Sequence, residues 1–383
     1  GYDEAAGKII EGLKKLEYRG YDSSGIAILS DKGIELNKCK GEIKNLENMI
    51  AGRVPKGTCG IGHTRWATHG APSDVNSHPH MDQSGRVALV HNGIVENYVE
   101  LKETLINEHG IKFKSETDSE VIAQLVGVKY NANGGDLEKA VYDATKEMRG
   151  TYAIGVIAEG TPDKIVAYRK EAPLIAGLGK KSNFIASDIP ALLKYTNDIF
   201  LIENDEMVIC TPDSITIKDK DGKEVKREAM KITWSVEDAE KGGYEHFMLK
   251  EINEQPKVVA ETLNRRIDED GKIKLDGINL TKEELDKYNK IYIVACGTAY
   301  HAGLVGKYVI EKMAGIAVEV DVASEFRYRD PFIDEKTLFI AISQSGETLD
   351  TLMSLRLAKE KGARVLSVVN VVGSSIARES DDV

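Results

Sequence analysis

The hydrophobic positions of this chain follow two different rhythms. From residue 1 to about 234 the apolar runs are short and broken by turn residues, at 25–29, 87–90, 152–157, 164–168 and 207–210. These read as strands joined largely by hairpins. Apolar residues at helical spacing interrupt them over 6–16, 117–130 and 137–148. Strands in runs with a few interposed helices predict an α+β layered domain over residues 1–234. From 235 to 288 the chain turns charged and helical and reads as a connector, its run His246-Phe247-Met248-Leu249-Lys250-Glu251-Ile252 expected to stop near Pro256. A strict alternation follows: strand 291–295, helix 299–313, strands 316–322 and 337–342, helix 347–361 ending at Gly362, and strand 364–369. That pattern predicts an α/β doubly wound parallel sheet over residues 289–383.

Composition narrows the function classes. A chain of 383 residues exceeds one ordinary core, so two or three domains are expected. The formal net charge of −11 leaves no basic footprint, so neither nucleic acid nor an anionic membrane surface is expected as a partner. No run approaches the roughly 18 apolar residues that span a bilayer, and no charged region precedes an apolar one at the start. A soluble, cytoplasmic protein is the expectation. Cys39, Cys59, Cys210 and Cys296 lack C-x-x-C spacing, which argues for reduced, mostly buried thiols over a zinc ribbon or a disulfide framework. The Asn279-Leu280-Thr281 match to a glycosylation site carries no weight without a secretory signal.

The sharpest local chemistry lies in the second half. The apolar strand 338–342 runs into Ser343-Gln344-Ser345-Gly346-Glu347-Thr348, at an expected helix start. Free N–H groups and the helix dipole favour an anion there, and Ser343, Ser345 and Thr348 add three hydroxyls. The strand 291–295 repeats the design with Cys296-Gly297-Thr298. Without a G-x-x-x-x-G-K-[ST] run, a small phosphorylated metabolite fits better than a nucleoside triphosphate. The plainer reading is that Ser and Thr simply cap the helices. Two such turns at the carboxyl ends of parallel strands favour a ligand.

In the first half, His63-Thr64-Arg65-Trp66-Ala67-Thr68-His69-Gly70 follows a short strand. An Arg fork there suits a carboxylate and the adjacent Trp could close a small pocket, although a surface loop with Arg and Trp merely stacked is the alternative. His91-Asn92-Gly93 admits two readings that the sequence leaves open: an Asn-Gly hairpin turn, or an amide and an N–H aimed at an oxyanion. Thr117 and Glu120 form an expected capping box, leaving Asp118 free to meet a cation such as an amino group. His78-Pro79-His80 suggests a metal, but no third ligand stands at a recognisable spacing, so no metal or cofactor is expected.

Taken together, Glu17-Tyr18-Arg19-Gly20-Tyr21-Asp22-Ser23-Ser24-Gly25, residues 63–70, His91-Asn92-Gly93 and residues 115–120 resemble the glutaminase domain of the glutamine–fructose-6-phosphate aminotransferase (glucosamine-6-phosphate synthase) family. Lys250-Glu251-Ile252 with Glu254-Gln255-Pro256, Ala295-Cys296-Gly297-Thr298, Ala323-Ser324-Glu325-Phe326-Arg327-Tyr328-Arg329 and residues 343–348 resemble the same family's linker and first sugar isomerase (SIS) subdomain. The resemblance covers essentially the whole chain. It implies an N-terminal-nucleophile, class II glutamine amidotransferase domain followed by the SIS domain. It also implies amination and isomerisation of fructose 6-phosphate to glucosamine 6-phosphate with L-glutamine as donor, in amino-sugar synthesis, by a homodimer joined through its SIS half. By the same resemblance Arg65 would grip the glutamine α-carboxylate and Asp118 its amino group, with Thr68 and His69 lining the loop. Asn92 and Gly93 would form the oxyanion hole and Trp66 the gate of an ammonia channel. Thr298, Ser343, Gln344, Ser345 and Thr348 would hold the sugar phosphate.

Three departures shape the expectation. The family's nucleophile is a cysteine at the mature N-terminus, whereas residue 1 here is glycine and no internal cysteine could stand in, so the polypeptide as written is expected not to cleave glutamine. The family's second SIS subdomain, which carries the groups that open the sugar, is not within residues 1–383, and Ala299 stands where many relatives have serine. The leading reading is therefore this aminotransferase, truncated at both ends. The alternatives are a catalytically silent sugar-phosphate sensor with an inert amidotransferase domain, and another amidotransferase of the phosphoribosyl or asparagine-forming type, which would share only the first half.

Overall fold

The structure, a computed structural model, describes residues 2–17, 20–66, 70–232, 243–264, 266–268, 270–275, 277–278 and 280–383. It divides into two units, Gly1–Gly242 and Gly243–Val383. The division lies slightly beyond the expected domain end at 234 and groups the described part of the connector with the second unit.

The first unit runs α1 (Ala5–Leu16), β1 (Ser23–Ser30), β2 (Gly33–Lys40), α2 (Ile43–Ile50), β3 (Cys59–Arg65), β4 (His80–Met81), β5 (Val87–Val95), α3 (Tyr98–His109), α4 (Asp118–Ala132) and α5 (Leu137–Glu147). It continues through β6 (Gly150–Ala158), β7 (Ile165–Lys170), β8 (Ile175–Gly177), β9 (Phe184–Ala186), β10 (Asp198–Leu201), β11 (Glu206–Cys210), β12 (Ile215–Lys218) and β13 (Met230–Lys231). The strands form sheets ordered β2-β1-β3, β12-β11-β7-β6-β5-β4 and β13-β10-β8-β9. The first two sheets stack face to face. Ala27, Leu29, Cys59 and Ile61 pack on Ala88 and Ile157, while Ile26 and Ile28 turn the other way onto α1 and α2. Because both faces of β1 are covered, its sequence reads as an unbroken apolar run instead of alternating. On the far side of the six-stranded sheet, α3, α4 and α5 cover Val87, Leu89, Ile154 and Val156. Helix, sheet, sheet and helix layers result, the α+β arrangement expected.

Three local expectations fail for physical reasons. Asn92-Gly93 is not a hairpin: β5 runs straight through it, paired with β6 from Val87↔Ala158 to Val95↔Gly150. A long-range ladder outweighs the local turn preference. The capping box at α4 is only half made. Thr117 Oγ1 accepts the Glu120 N–H at 3.2 Å, but the Glu120 carboxylate accepts the N–H groups of Lys114 and Ser115 instead of that of Thr117. Helices α2 and α3 were not expected from periodicity, since α3 buries just Leu101 and Leu105, too narrow a stripe to register.

The second unit contains α6 (Phe247–Asn264), α7 (Lys282–Leu285), β14 (Lys290–Ala295), α8 (Gly297–Ala314), β15 (Ala317–Val322), α9 (Ala323–Phe326), β16 (Thr337–Ser343), α10 (Leu349–Glu360), β17 (Arg364–Val369) and α11 (Ser375–Glu379). Here α6 does not stop at Pro256 but carries it internally. Proline removes its own N–H and crowds the carbonyl four residues back, a local loss that the turns on either side tolerate. The strands are all parallel in the order β15-β14-β16-β17. Helix α10 packs on the face bearing Val294, Phe339 and Ala341, and α8 on the face bearing Ile293 and Val318. The sheet is doubly wound, and its connections change direction between β14 and β16.

Candidate functional sites

In the first unit the candidate residues sit where strand ends meet a helix start. Arg65 closes β3, and Asn92 and Gly93 lie late in β5. Asp118 opens α4. His63, two residues before Arg65, reaches from one sheet to the other: its Nε2 lies 2.8 Å from Asn92 Oδ1. Burial pushes the His63 imidazole down to about 4, so the ring is neutral and Nε2–H donates to the amide oxygen. That bond orients the Asn92 amide and leaves its two Nδ2 hydrogens for another acceptor. Gly93 has φ +115°, and a Cβ built there would stand 2.0 Å from the Thr151 carbonyl oxygen, so this strand position requires glycine.

Arg65 is buried, and its Nη2 donates to the Gly70 carbonyl at 3.1 Å. Burial lowers the affinity of its guanidinium for a proton, and the neighbouring charges of Asp22 and Asp118 oppose that. Arg65 and Asp118 thus act on each other as electrostatic neighbours. Asp118 is not left free as expected: Oδ2 accepts the Val95 N–H at 3.0 Å, and the Ser119 hydroxyl donates to Oδ1 at 3.4 Å. His91 Nδ1 lies 4.0 Å from Oδ2, and burial holds that ring neutral, at about 4. Trp66 meets Tyr21 edge to face, with centroids 5.3 Å apart, and is 57% exposed. Thr68 and His69 lie outside the described residues.

Sequence reasoning missed the histidines behind this site. His78, His80 and His91 are buried together beside the half-buried His63, with the His78 ring centroid 4.3 Å from that of His63 and 5.0 Å from that of His80. His80 Nε2 lies 3.1 Å from Thr117 Oγ1, and His91 Nδ1 lies 2.9 Å from Ser119 Oγ. The available signal was density: five of the chain's eight histidines fall between residues 63 and 91. Among the described residues no group of His, Cys, Asp or Glu side chains has the arrangement of a metal site. Burial also raises the thiols of Cys59 and Cys210 to about 12, so both remain protonated.

In the second unit the two hydroxyl-bearing turns lie side by side at the carboxyl ends of β14 and β16, where the sheet changes direction. Parallel α/β sheets bind ligands at that place. Neither turn uses a hydroxyl as a helix cap: Cys296 at α8 and Thr348 at α10 make no side-chain capping bond. The plainer capping explanation therefore fails, and first-turn N–H groups keep their donors. Within the turn the Gly346 N–H donates to Ser343 Oγ at 3.0 Å and the Glu347 N–H to Ser345 Oγ at 3.2 Å. Ser343 Oγ and Thr348 Oγ1 are 3.2 Å apart. A hydroxyl that accepts a backbone N–H still has its own proton to give outward. Gln344 and Thr298 are exposed, and Ser345 and Thr348 half-buried.

Comparison with known proteins bears on both units. A family profile described as a glutamine amidotransferase domain matches residues 63–194, and one described as a SIS domain matches residues 284–383. The glutamine–fructose-6-phosphate aminotransferase (isomerizing) of Clostridium tetani is 59% identical over 383 residues, all of this chain and 62% of that protein. Its namesake from Clostridium perfringens is 57% identical over the same shares. This chain spans about three-fifths of the length of these relatives. Among solved structures, a glutamine phosphoribosylpyrophosphate amidotransferase from B. subtilis, complexed with ADP and GMP, aligns with 97% of this chain and 80% of its own at a TM-score of 0.52. At 18% identity that is a likeness of fold alone.

Proposed function

From a chain that carries a glutamine amidotransferase domain followed by a SIS domain, and that is related over its whole length to the glutamine–fructose-6-phosphate aminotransferases, we propose that the protein transfers the amide nitrogen of L-glutamine to fructose 6-phosphate, yielding glucosamine 6-phosphate and glutamate. The observation that carries this reading is the presence in one chain of a site suited to an amino-acid amide and a site suited to a sugar phosphate. Arg65 beside Asp118 offers opposite charges to the two ends of an amino-acid zwitterion. Asn92, its amide turned by His63, and Gly93 would donate to the oxygen that gains charge as the carboxamide is attacked. Trp66, an exposed side chain, would gate the released ammonia, and Thr68 and His69 would contribute to holding glutamine. In the second unit Thr298, Ser343, Gln344, Ser345 and Thr348 would hold the phosphate with neutral donors.

Two further assignments belong to the same proposal. The exposed apolar stripe Val305, Tyr308, Val309 and Met313 on α8 supports a homodimer through the second unit. A cytoplasmic location accords with the absence, among the described residues, of any helix long and apolar enough to cross a membrane. The test is an assay of the natural full-length polypeptide with glutamine, with and without fructose 6-phosphate, following glutamate and amino sugar by mass spectrometry. Glutamate release that is stimulated by fructose 6-phosphate and matched by glucosamine 6-phosphate is expected. Stimulation by phosphoribosyl pyrophosphate alone would overturn the reading.

A further inference from the structure

We propose that Glu347 is the positioning residue of the anion-binding turn, and that it acts by carrying its own charge away from the ligand onto Ser375. The inference rests on the reading of that turn as a sugar-phosphate site. A carboxylate is an unexpected neighbour for a phosphate dianion, since like charges in a partly desolvated site repel strongly. The geometry resolves the conflict. Glu347 Oε1 accepts the Ser375 N–H at 2.7 Å, and Glu347 Oε2 accepts the Ser375 hydroxyl at 2.8 Å. Turning the carboxylate toward the ligand would forfeit both charge-assisted bonds.

The same segment grips the turn at two more points. The Asn370 N–H donates to the Gln344 carbonyl at 3.3 Å, and the Ile376 N–H to the Gly346 carbonyl at 3.0 Å. Gly346 adopts φ +65°, and a Cβ on it would stand 1.9 Å from Ser374 Oγ, so the turn and the segment after β17 meet with no space between them. Residues 370–376 therefore form a back wall against which the turn is set. Glu347 is its one charged tie in these bonds, and its backbone N–H at the same time holds Ser345 Oγ in place for the ligand.

Calorimetric titration of the natural full-length protein with fructose 6-phosphate and with inorganic phosphate tests the proposal. Glu347→Gln keeps the size but cannot accept both Ser375 bonds, and it should weaken both ligands about tenfold while leaving the KM for glutamine unchanged. Glu347→Asp keeps the charge but cannot reach Ser375, and it should weaken binding at least as much. Ser375→Ala should weaken binding more mildly, and the Glu347→Gln/Ser375→Ala double variant no further than Glu347→Gln alone. Ser375→Ala carries the test should Glu347→Gln fail to fold. A Glu347→Gln protein that binds phosphate as tightly as the unaltered protein, or more tightly, overturns the proposal, because the charge would then face the ligand or be idle. An unaltered protein that binds inorganic phosphate but not fructose 6-phosphate overturns the sugar reading and leaves the clamp standing; binding of neither overturns both.

Discussion

Acidification is expected to destabilise the first unit well before its carboxylates titrate. His78, His80 and His91 are buried in one cluster with the half-buried His63, and Lys38 and Arg65 add positive potential around them. Burial pushes His63 and His91 down to about 4, and His78 and His80 well below their usual value. The unfolded chain takes up these protons near pH 6.5, so between that value and about 4 the unfolded state binds more protons than the folded one. Stability is therefore fully present above pH 6.5 and is lost as pH falls. At pH 5 each histidine with these two values removes roughly 2 kcal/mol, and His63 with His91 about 4 kcal/mol together. Such a loss is a large share of a typical total of about 5–15 kcal/mol. Trp66 belongs to the first unit, so urea unfolding followed by its emission in a Trp234→Phe variant reports on that unit. The midpoint should drop by on the order of 1 M between pH 7.5 and pH 5. A midpoint that stays constant or rises over this interval, or imidazole resonances assigned to His63, His78, His80 and His91 that titrate near pH 6.5 in the folded protein, would refute the reasoning.

Other outcomes can be stated briefly. Gly93→Ala, which forces a Cβ against the Thr151 carbonyl at positive φ, should destabilise the first unit by about 3 kcal/mol or more; an unchanged urea midpoint would contradict the strand geometry. Asn92→Ala should lower kcat for glutamine cleavage about a hundredfold with little change in KM, whereas Arg65→Lys should act mainly on KM, as steady-state kinetics with varied glutamine will separate. Ser343→Ala removes the oxygen shared by the Gly346 N–H and Thr348, and calorimetry should find sugar-phosphate affinity reduced about tenfold.

Much of the second unit was legible because each of its elements has its own period and its own stop signal. The strands 291–295 and 364–369 and the glycine after α10 lie where the alternation places them, and the serine-rich turn falls at a strand end. The first unit was harder. Its β5 carries a turn dipeptide in mid-strand, α3 shows almost no apolar stripe, and the mutual support of His63 and Asn92 joins two different sheets.

The residue pattern by itself determined the order of the main strands and helices of the second unit, the change from runs of short strands to an alternating parallel sheet, and the kinds of side chain offered to an anion and to an amino acid. These follow from periodicity, glycine and proline placement, and donor chemistry, all of which act within a few residues. Only the tertiary structure decided that Asn92-Gly93 is strand, that the Glu120 carboxylate serves residues 114 and 115, and that Glu347 turns toward Ser375. Each of those outcomes depends on which backbone N–H groups the folded layers leave in need of an acceptor, and pairing across the fold settles that need where local preference alone leaves several answers of similar energy.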